Sequence, residues 1–280
     1  MYDMIACGCC GGAKGGTGAR PTQGRVWRQT THRGDGMRYL ILSDIHANLA
    51  ALEAVLEDTP AFDQMWCIGD LVGYGPEPNE CVERLREFDP VCVAGNHDWA
   101  ALGKLEVDDF NPDARRALEW TQSQLSSATR AYLAQLPETT RIESFTIVHG
   151  SPRQPIWEYI LHASVAAANF AFFNTRYCFV GHTHSPAIFG EYCSAEAPSA
   201  LSLNVSYDAS LELQEGRLII NPGSVGQPRN NDPRASYIIL DGEKKTIQYR
   251  RAPYPVEKTQ MSMHRRGLPM RLAARLSYGW

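Results

Sequence analysis

The sequence predicts an α/β fold in which a parallel sheet is begun by βαβ units and antiparallel strands complete the structure. Two observations predict it. From residue 38 to 94, short apolar runs alternate with amphipathic stretches at the spacing of strand–helix–strand crossovers. After residue 186 the helical patterns give way to short strands joined by turn residues such as "DGEKK".

The elements follow in order. "RYLILS" (38–43) is a buried strand ending in "DIHAN". In "LAALEAVLED", Leu49, Leu52, Val55 and Leu56 recur at helical spacing. "MWCI" (65–68) is a second strand, ending in "GDLVGYGP"; "PNECVERLREF" is a helix; "VCVA" (91–94) is a third strand, ending in "GNHD". Residues 98–135 are rich in helical patterns. "FTIV" (145–148) is a strand ending in "HGSP", residues 163–173 are a helix, and "YCFV" (177–180) is a strand ending in "GHTH". "AIFGEY", "GRLIINPGS", "SYIILD" and "TIQYRR" read as antiparallel strands. Residues 254–280 are expected as a C-terminal helical extension, two short helices split at Gly267 and Pro269.

The chain has 280 residues, 44% of them hydrophobic, enough for one large core or a core with an appendage. A net charge of -4 gives no basic bias, so no stable nucleic-acid partner is expected. No run of about 18 apolar residues suggests a membrane span, and no secretory signal is read at the start. Of the eight cysteines, Cys67, Cys92 and Cys178 lie in apolar strands, a pattern that fits a reducing cytoplasm. Residues 1–36, with "CGCCGGAKGGTGAR", lack periodicity and are expected to be a disordered extension or the product of a misplaced start codon. The Cys7–Cys10 pair has no partner pair, and the glycines around Lys14 do not form a P-loop.

Five strand ends deliver polar groups: Asp44 with His46, Asp70, Asn96 with His97 and Asp98, His149, and His182 with His184. Ligands gather at the carboxyl ends of strands in open α/β sheets, so these groups can converge. Carboxylates, an amide oxygen and imidazoles form a mixed nitrogen/oxygen donor set without cysteine, which disfavours structural zinc or iron–sulfur. There are donors enough for two metals sharing one carboxylate, about 3.5–4 Å apart, an arrangement that clamps attacking and leaving oxygens at phosphorus. Two dications less the charges of Asp44, Asp70 and a hydroxide leave about +1, suited to an anionic phosphate ester.

The ordered set "DIH", "GDLVG", "GNHD", "HG" and "GHTH" resembles the calcineurin-like metallophosphoesterase superfamily, from Arg38 to beyond Asn221. "SDIHANLAALEAVL" and "NPGSVGQPR" are similar to its small bacterial and archaeal phosphodiesterase branch. The resemblance implies a four-layer αββα sandwich, two mixed sheets flanked by helices, over residues 37–253, with helical insertions at 98–135 and 152–175. It implies that Asp44, His46 and His184 bind a first metal, Asp70 bridges, and Asn96, His149 and His182 bind a second. The ions would be manganese first, with iron, nickel, cobalt or zinc compatible with the donors. A metal-bridging hydroxide would be the nucleophile and His97 the general acid, with Asp98 orienting its imidazole or else capping a helix.

Other positions are weighed on their residue types. Asn48 reads as a helix cap before a substrate contact. Asn221 is a turn former near the metals and a candidate substrate contact, and Arg153 and Arg229 can hold a second phosphate. Trp157 and Tyr159 can line a base-stacking wall, whereas Phe170, Phe172 and Phe173 fit better as packing. The expected function is a phosphodiesterase or nucleotide hydrolase acting on a phosphoester or nucleotide substrate. Alternatives on the same core are a protein Ser/Thr phosphatase and a dinucleoside polyphosphate hydrolase. A non-catalytic scaffold is the alternative of a different class.

Overall fold

The first strand, β1 (Arg38–Leu42), sends alternate side chains to opposite faces, and both faces are apolar. Tyr39 and Ile41 join one buried cluster, Leu40 and Leu42 another. A strand buried on both sides lies between two layers, and the rest of the chain supplies them. The structure is a computed structural model that describes residues 36–193, 198–213 and 216–280. The expectations for residues 1–36, Gly36 apart, lie outside the described residues.

The chain continues through α1 (Leu49–Asp58), β2 (Gln64–Cys67), α2 (Pro78–Arg86), β3 (Val91–Cys92) and α3 (Asn96–Ala101). Next come α4 (Pro112–Gln124), α5 (Ser127–Ala134), β4 (Thr139–Ile142), β5 (Phe145–Val148), α6 (Ala163–Asn169) and β6 (Tyr177–Phe179). Then follow β7 (Ala187–Cys193), β8 (Pro198–Leu203), β9 (Ser210–Glu212), β10 (Leu218–Asn221), β11 (Ala235–Asp241) and β12 (Thr246–Ala252). The last elements are α7 (Val256–Arg265) and α8 (Met270–Arg275).

Two six-stranded mixed sheets result, in the orders β3-β2-β1-β11-β12-β9 and β4-β5-β6-β10-β7-β8. Between them lie Ile41, Trp66, Val93 and Ile238 from the first sheet and Ile147, Phe179, Ile188 and Ile220 from the second. Outside the first sheet, Leu52, Val55, Val82 and Leu85 of α1 and α2 cover Leu40, Leu42 and Met65. Outside the second, Ala166 and Phe170 cover Cys178, Val180, Phe189 and Ile219. This is the αββα order. Each fully buried large side chain contributes about 1.5–3 kcal/mol, and Trp66, between the sheets, is fully buried.

The crossovers β1-β2, β2-β3 and β5-β6 are parallel. The strands after residue 186 do not form one antiparallel run: β10 lies parallel to β6 and antiparallel to β7, while β11 crosses to the first sheet beside β1. Local periodicity marks a strand but not its distant neighbour, so the sequence could not assign these pairings. Strands β4, β8 and β9 were not expected; β4 is half exposed and β9 more so, and neither offers an apolar run. In the 152–175 stretch the helix is confined to α6 and a 3-10 turn at Phe170–Phe172.

Parallel alignment within each sheet brings five carboxyl ends, those of β1, β2, β3, β5 and β6, to the same edge of the sandwich. Among the described residues no helix is long and apolar enough to cross a membrane.

Candidate metal centre

The loops leaving those ends are tied to each other by main-chain bonds. After β1, His46 N–H donates to Asp70 C=O at 3.0 Å and Ala47 N–H to Leu71 C=O at 2.9 Å. After β6, Gly181 N–H donates to His149 C=O at 2.8 Å. Gly181 is needed for closeness rather than for an unusual turn: a Cβ there would stand 2.1 Å from Ser43 Oγ. Five donor residues take left-handed backbone angles, with φ of 53° at Asp44, 49° at His46, 53° at Asp70, 65° at His182 and 57° at His184. Such conformations cost about 1–3 kcal/mol each, strain of the kind that collects at functional sites.

Two groups of buried donor atoms result, each with its atoms within 4.8 Å of one another: Asp44, His46, Asp70 and His184, and Asp70, His149 and His182. Asp70 belongs to both. Its Oδ2 lies 3.5 Å from His46 Nε2 and 3.4 Å from His149 Nε2. Asp44 Oδ1 lies 3.3 Å from His184 Nε2. Asn96 joins the second group, its Oδ1 lying 3.1 Å from His149 Nε2.

Each imidazole is fixed from behind. His46, His149 and His184 offer Nδ1 to the carbonyls of Val72 (3.2 Å), Ile68 (2.8 Å) and Gln227 (2.7 Å). His182 is reversed, its Nε2 lying 3.2 Å from Trp157 O. A nitrogen that donates to a carbonyl leaves the other nitrogen with its lone pair, which is the ligating form. His46 Nε2 and His184 Nε2 then face each other at 3.1 Å, and His149 Nε2 and His182 Nδ1 at 3.2 Å. Pairs of imidazole nitrogens turned toward each other at that distance suit a shared cation.

The carboxylates show the same division. Asp44 Oδ2 accepts from Ser43 Oγ at 2.6 Å and His182 N–H at 3.2 Å, while its Oδ1 is buried without a partner. Asp70 Oδ1 accepts from His97 N–H at 2.9 Å, and its Oδ2 is likewise buried without one. The unpartnered oxygens are the ones that face the histidines. Buried carboxylate oxygens without a hydrogen-bond partner, turned toward imidazole nitrogens, fit divalent cations.

Charge follows from burial. Desolvation pushes His46, His182 and His184 well below the usual imidazole range, so they are neutral. Burial also opposes charge on His149, but Asp70 outweighs it and lifts that imidazole to about 9. Burial and the Asp70 charge push Asp44 up to about 7. Asp70 itself is held low, because His149, His97 and His46 together outweigh its burial.

His97 sits at the edge of this cluster, its ring 4.8 Å from that of His46 and 4.3 Å from that of Tyr74, with Nδ1 buried and unpartnered. Burial lowers its pKa to about 4, with Asp70 opposing and Arg229 reinforcing. Of the two roles expected of Asp98, its bonds match the capping of a helix and not the orienting of His97. Asp98 Oδ1 accepts from Leu71 N–H (2.9 Å) and Val72 N–H (3.2 Å), and Oδ2 accepts from Gly95 N–H (3.0 Å). The carboxylate therefore ties the start of α3 to the β2 loop, and adjacency in the chain does not become contact.

The substrate candidates separate. Asn221 is spent within the protein: Nδ2 donates to Gly181 C=O (2.7 Å) and Thr183 Oγ1 (3.0 Å), and Oδ1 accepts from Gly223 N–H (2.8 Å). Its expected substrate contact is replaced by support of the histidine turn. Arg153 is held by Glu158, which is also bonded by Ser151 and Asn169, so its guanidinium is not directed to the cluster. Arg229 remains beside the site, its Nη2 3.4 Å from the Tyr74 hydroxyl. Asn48 caps α1 through Ala51 N–H at 3.2 Å. Tyr159 stacks on His182 at 3.8 Å, and Trp157 lies 5.1 Å from Phe110, which itself lies 5.0 Å from His97. Phe170 and Phe173 are buried packing, and Phe172 is exposed. Tyr74 and Phe110 were not singled out from the sequence, although Tyr74 stands between two glycines four places after Asp70.

Comparison with known proteins agrees with this geometry. A model of the calcineurin-like phosphoesterase superfamily domain matches residues 37–245. An uncharacterized protein of Methanocaldococcus jannaschii is 35% identical over 254 residues, covering 85% of this chain and 97% of that one. A metallophosphoesterase from Sphaerobacter thermophilus, known as a crystal structure, is 48% identical with a TM-score of 0.79, covering 88% of this chain and 100% of that one. A symmetrical bis(5'-nucleosyl)-tetraphosphatase of Pseudomonas fluorescens is 32% identical over 100 residues, 30% of this chain and 35% of that protein. The family match takes in every strand end that feeds the two donor groups, and this chain belongs to the calcineurin-like phosphoesterase superfamily.

Proposed function

We propose that this protein is a dinuclear-metal-dependent phosphoesterase that hydrolyses a phosphodiester or a nucleotide phosphoester. The observation that carries the reading is Asp70 Oδ2, buried without a partner and shared between two groups of ligating atoms. Asp44, His46, Asp70 and His184 would hold one cation, and Asp70, Asn96, His149 and His182 the other. When bound, the pair of cations supplies Lewis acidity toward the phosphoryl oxygens and activates water at neutral pH. Manganese is the first ion to test, and iron, nickel, cobalt and zinc suit the same donors.

The chain's own groups do the rest. His97 stands beside the ligands without being one, and it donates to the leaving oxygen as charge develops there. The anionic phosphoryl group favours its charged form and so raises an imidazole that burial alone depresses. Arg229 adds a positive charge on the side of Tyr74 and attracts the substrate. Trp157 and Tyr159 form an aromatic flank on the side of His182. The retained donor set and His97 count against a non-catalytic scaffold. A cytoplasmic location belongs to the same reading, supported by four free, buried cysteines among the described residues.

A second reading, hydrolysis of dinucleoside polyphosphates, is favoured by the local match to the tetraphosphatase of Pseudomonas fluorescens, and a protein Ser/Thr phosphatase is the remaining alternative. A panel of phosphodiesters, nucleotides and a phosphopeptide decides, run on chelated protein with single metals added back. Metal-restored hydrolysis of a diester or nucleotide is expected. Failure of every metal to restore any phosphoester hydrolysis would end the proposal.

A further inference from the structure

Two half-buried rings reach the metal centre from different loops. Phe110 lies between α3 and α4, and Trp157 between β5 and α6. Phe110 is set by its neighbours: its N–H donates to Val107 C=O at 3.1 Å, and the next residue, Asn111, caps α4 by accepting from Ala114 N–H at 3.0 Å. Its ring leans on the buried cluster that holds Tyr74, Ala114 and Ala117. Trp157 is held through its main chain, whose carbonyl faces His182 Nε2 at 3.2 Å.

The two rings meet at 5.1 Å with 52° between their planes, and Phe110 meets His97 at 5.0 Å and 74°. The line His97–Phe110–Trp157–His182 therefore runs from the candidate acid to a candidate ligand of the second cation. It joins a loop that follows the first sheet's β3 with one that follows the second sheet's β5. Neither contact of Phe110 is a parallel stack. Tyr159 differs, since its face lies on His182 at 3.8 Å and 20°. Half-buried rings beside a reacting centre offer flat apolar contact to a planar group.

Charge narrows what such a wall can receive. Glu106, Asp108 and Asp109 stand just before Phe110, all exposed, and among the described residues only Asp108 of the three has an ion-pair partner, Arg115. A further phosphate beside Phe110 would meet these carboxylates, whereas an uncharged ring would not. His97 fixes which end of the substrate is near: the leaving oxygen takes the proton of the acid, so the leaving group departs on the side of Phe110.

We propose that Phe110 and Trp157 set leaving-group specificity, forming a wall on which a nucleobase of the leaving group stacks. The inference rests on the phosphoesterase reading above, with His97 as the acid, and narrows it to esters whose leaving group is a nucleoside. The attacking water gives its oxygen to phosphorus and a proton to solvent. The bond from phosphorus to the 5' oxygen breaks, its electron pair stays on that oxygen, and the His97 proton makes it a hydroxyl. Stacking held equally in the ground and transition states acts mainly on KM.

The test uses the full-length, metal-loaded chain and two matched pairs of esters: adenosine 5'-monophosphate (AMP) with ribose 5-phosphate, and the methyl esters of both. Within a pair the base replaces one sugar hydroxyl, so intrinsic reactivity cancels when variants are compared. Phe110→Leu keeps an apolar contact with the Tyr74 cluster and loses the ring. Its kcat/KM ratio, base-bearing over base-free ester, is expected to fall about five- to hundredfold, the worth of stacking one base, chiefly through KM. Trp157→Leu should lower the same ratio, and Phe110→Tyr should keep it. An unchanged ratio in Phe110→Leu, or an equal loss on both esters, overturns the wall. The methyl ester of AMP also reports the side: release of adenosine with methyl phosphate is expected, and release of methanol with AMP overturns the assignment. Calorimetry gives an arm that needs no turnover. AMP bound about fivefold or more tighter than ribose 5-phosphate, with the preference lost in Phe110→Leu, supports the wall; no preference, or one that survives, overturns it. If the wild-type chain hydrolyses none of these esters, calorimetry alone judges the wall, while the phosphoesterase reading stands or falls on the wider panel above.

Discussion

Of the four histidines proposed as ligands, three turn Nε2 toward the donor groups and the fourth Nδ1, each because a main-chain carbonyl holds the other nitrogen. Ligand strength is thus set by atoms outside the ligand list, and replacing Asp70 tests the list itself. Asp70→Asn exchanges a shared anion for a neutral amide and should lower metal content below two ions per chain; elemental analysis that still counts two would remove Asp70 from the bridging position. His97→Ala should keep both ions and lose about 10²–10⁴-fold in kcat. Full turnover in that variant would take His97 out of the mechanism. The seven proposed ligands were legible because each ends an apolar run with a metal-capable side chain. The carbonyl locks were not, since every residue carries a carbonyl and only the fold selects one. For Asp98, adjacency to His97 suggested a contact that the fold does not make, whereas the capping alternative matches its bonds to the amides of residues 71, 72 and 95.

At the scale of elements, the turn at 181–184 delivers a histidine to each donor group, and Asn221 at the end of β10 braces it. Asn221→Ala removes two donated bonds and one accepted bond, leaving buried partners unsatisfied. It should cost about 1–3 kcal/mol in denaturant unfolding and weaken ion retention. Unchanged stability would show that the turn holds without it. The segment between β5 and α6 has a different anchor. Burial alone would raise the Glu158 carboxyl, but bonds from Arg153, Asn169 and Ser151 prevail and hold it down to about 2. A depressed carboxylate stabilises the fold above its unfolded value of 4.5 and loses that contribution as pH falls toward about 2. Unfolding midpoints measured over that window should therefore drop less steeply in Glu158→Gln than in the parent, and parallel curves would refute the anchor. Apolar runs made β1, β2, β5 and β6 plain in the sequence, and Asn48 was readable as the cap of α1. The half-exposed strands and the partners of β10 and β11 were not, because edge strands carry no strong pattern and pairing across the chain leaves no local one.

For the molecule as a whole, the donors come from both layers. Asp44, His46, Asp70 and Asn96 follow strands of the first sheet, and His149, His182 and His184 follow strands of the second. Cations bound there would cross-link the two sheets at one edge. The native state binds the ions and an unfolded chain cannot assemble the site, so metal should raise stability by mass action. At a free ion concentration a hundred times Kd, one site contributes about 2.7 kcal/mol. For a domain of this size that corresponds to a rise in Tm of roughly 5–10 °C per site, growing with ion concentration. Scanning calorimetry of chelated protein, titrated with manganese, should show this rise and its reversal by excess chelator. Asp70→Asn should show a much smaller rise, because it weakens both sites together. A Tm indifferent to manganese and to each other candidate ion in turn would mean that the sheets are not joined by metal, whatever the donors resemble.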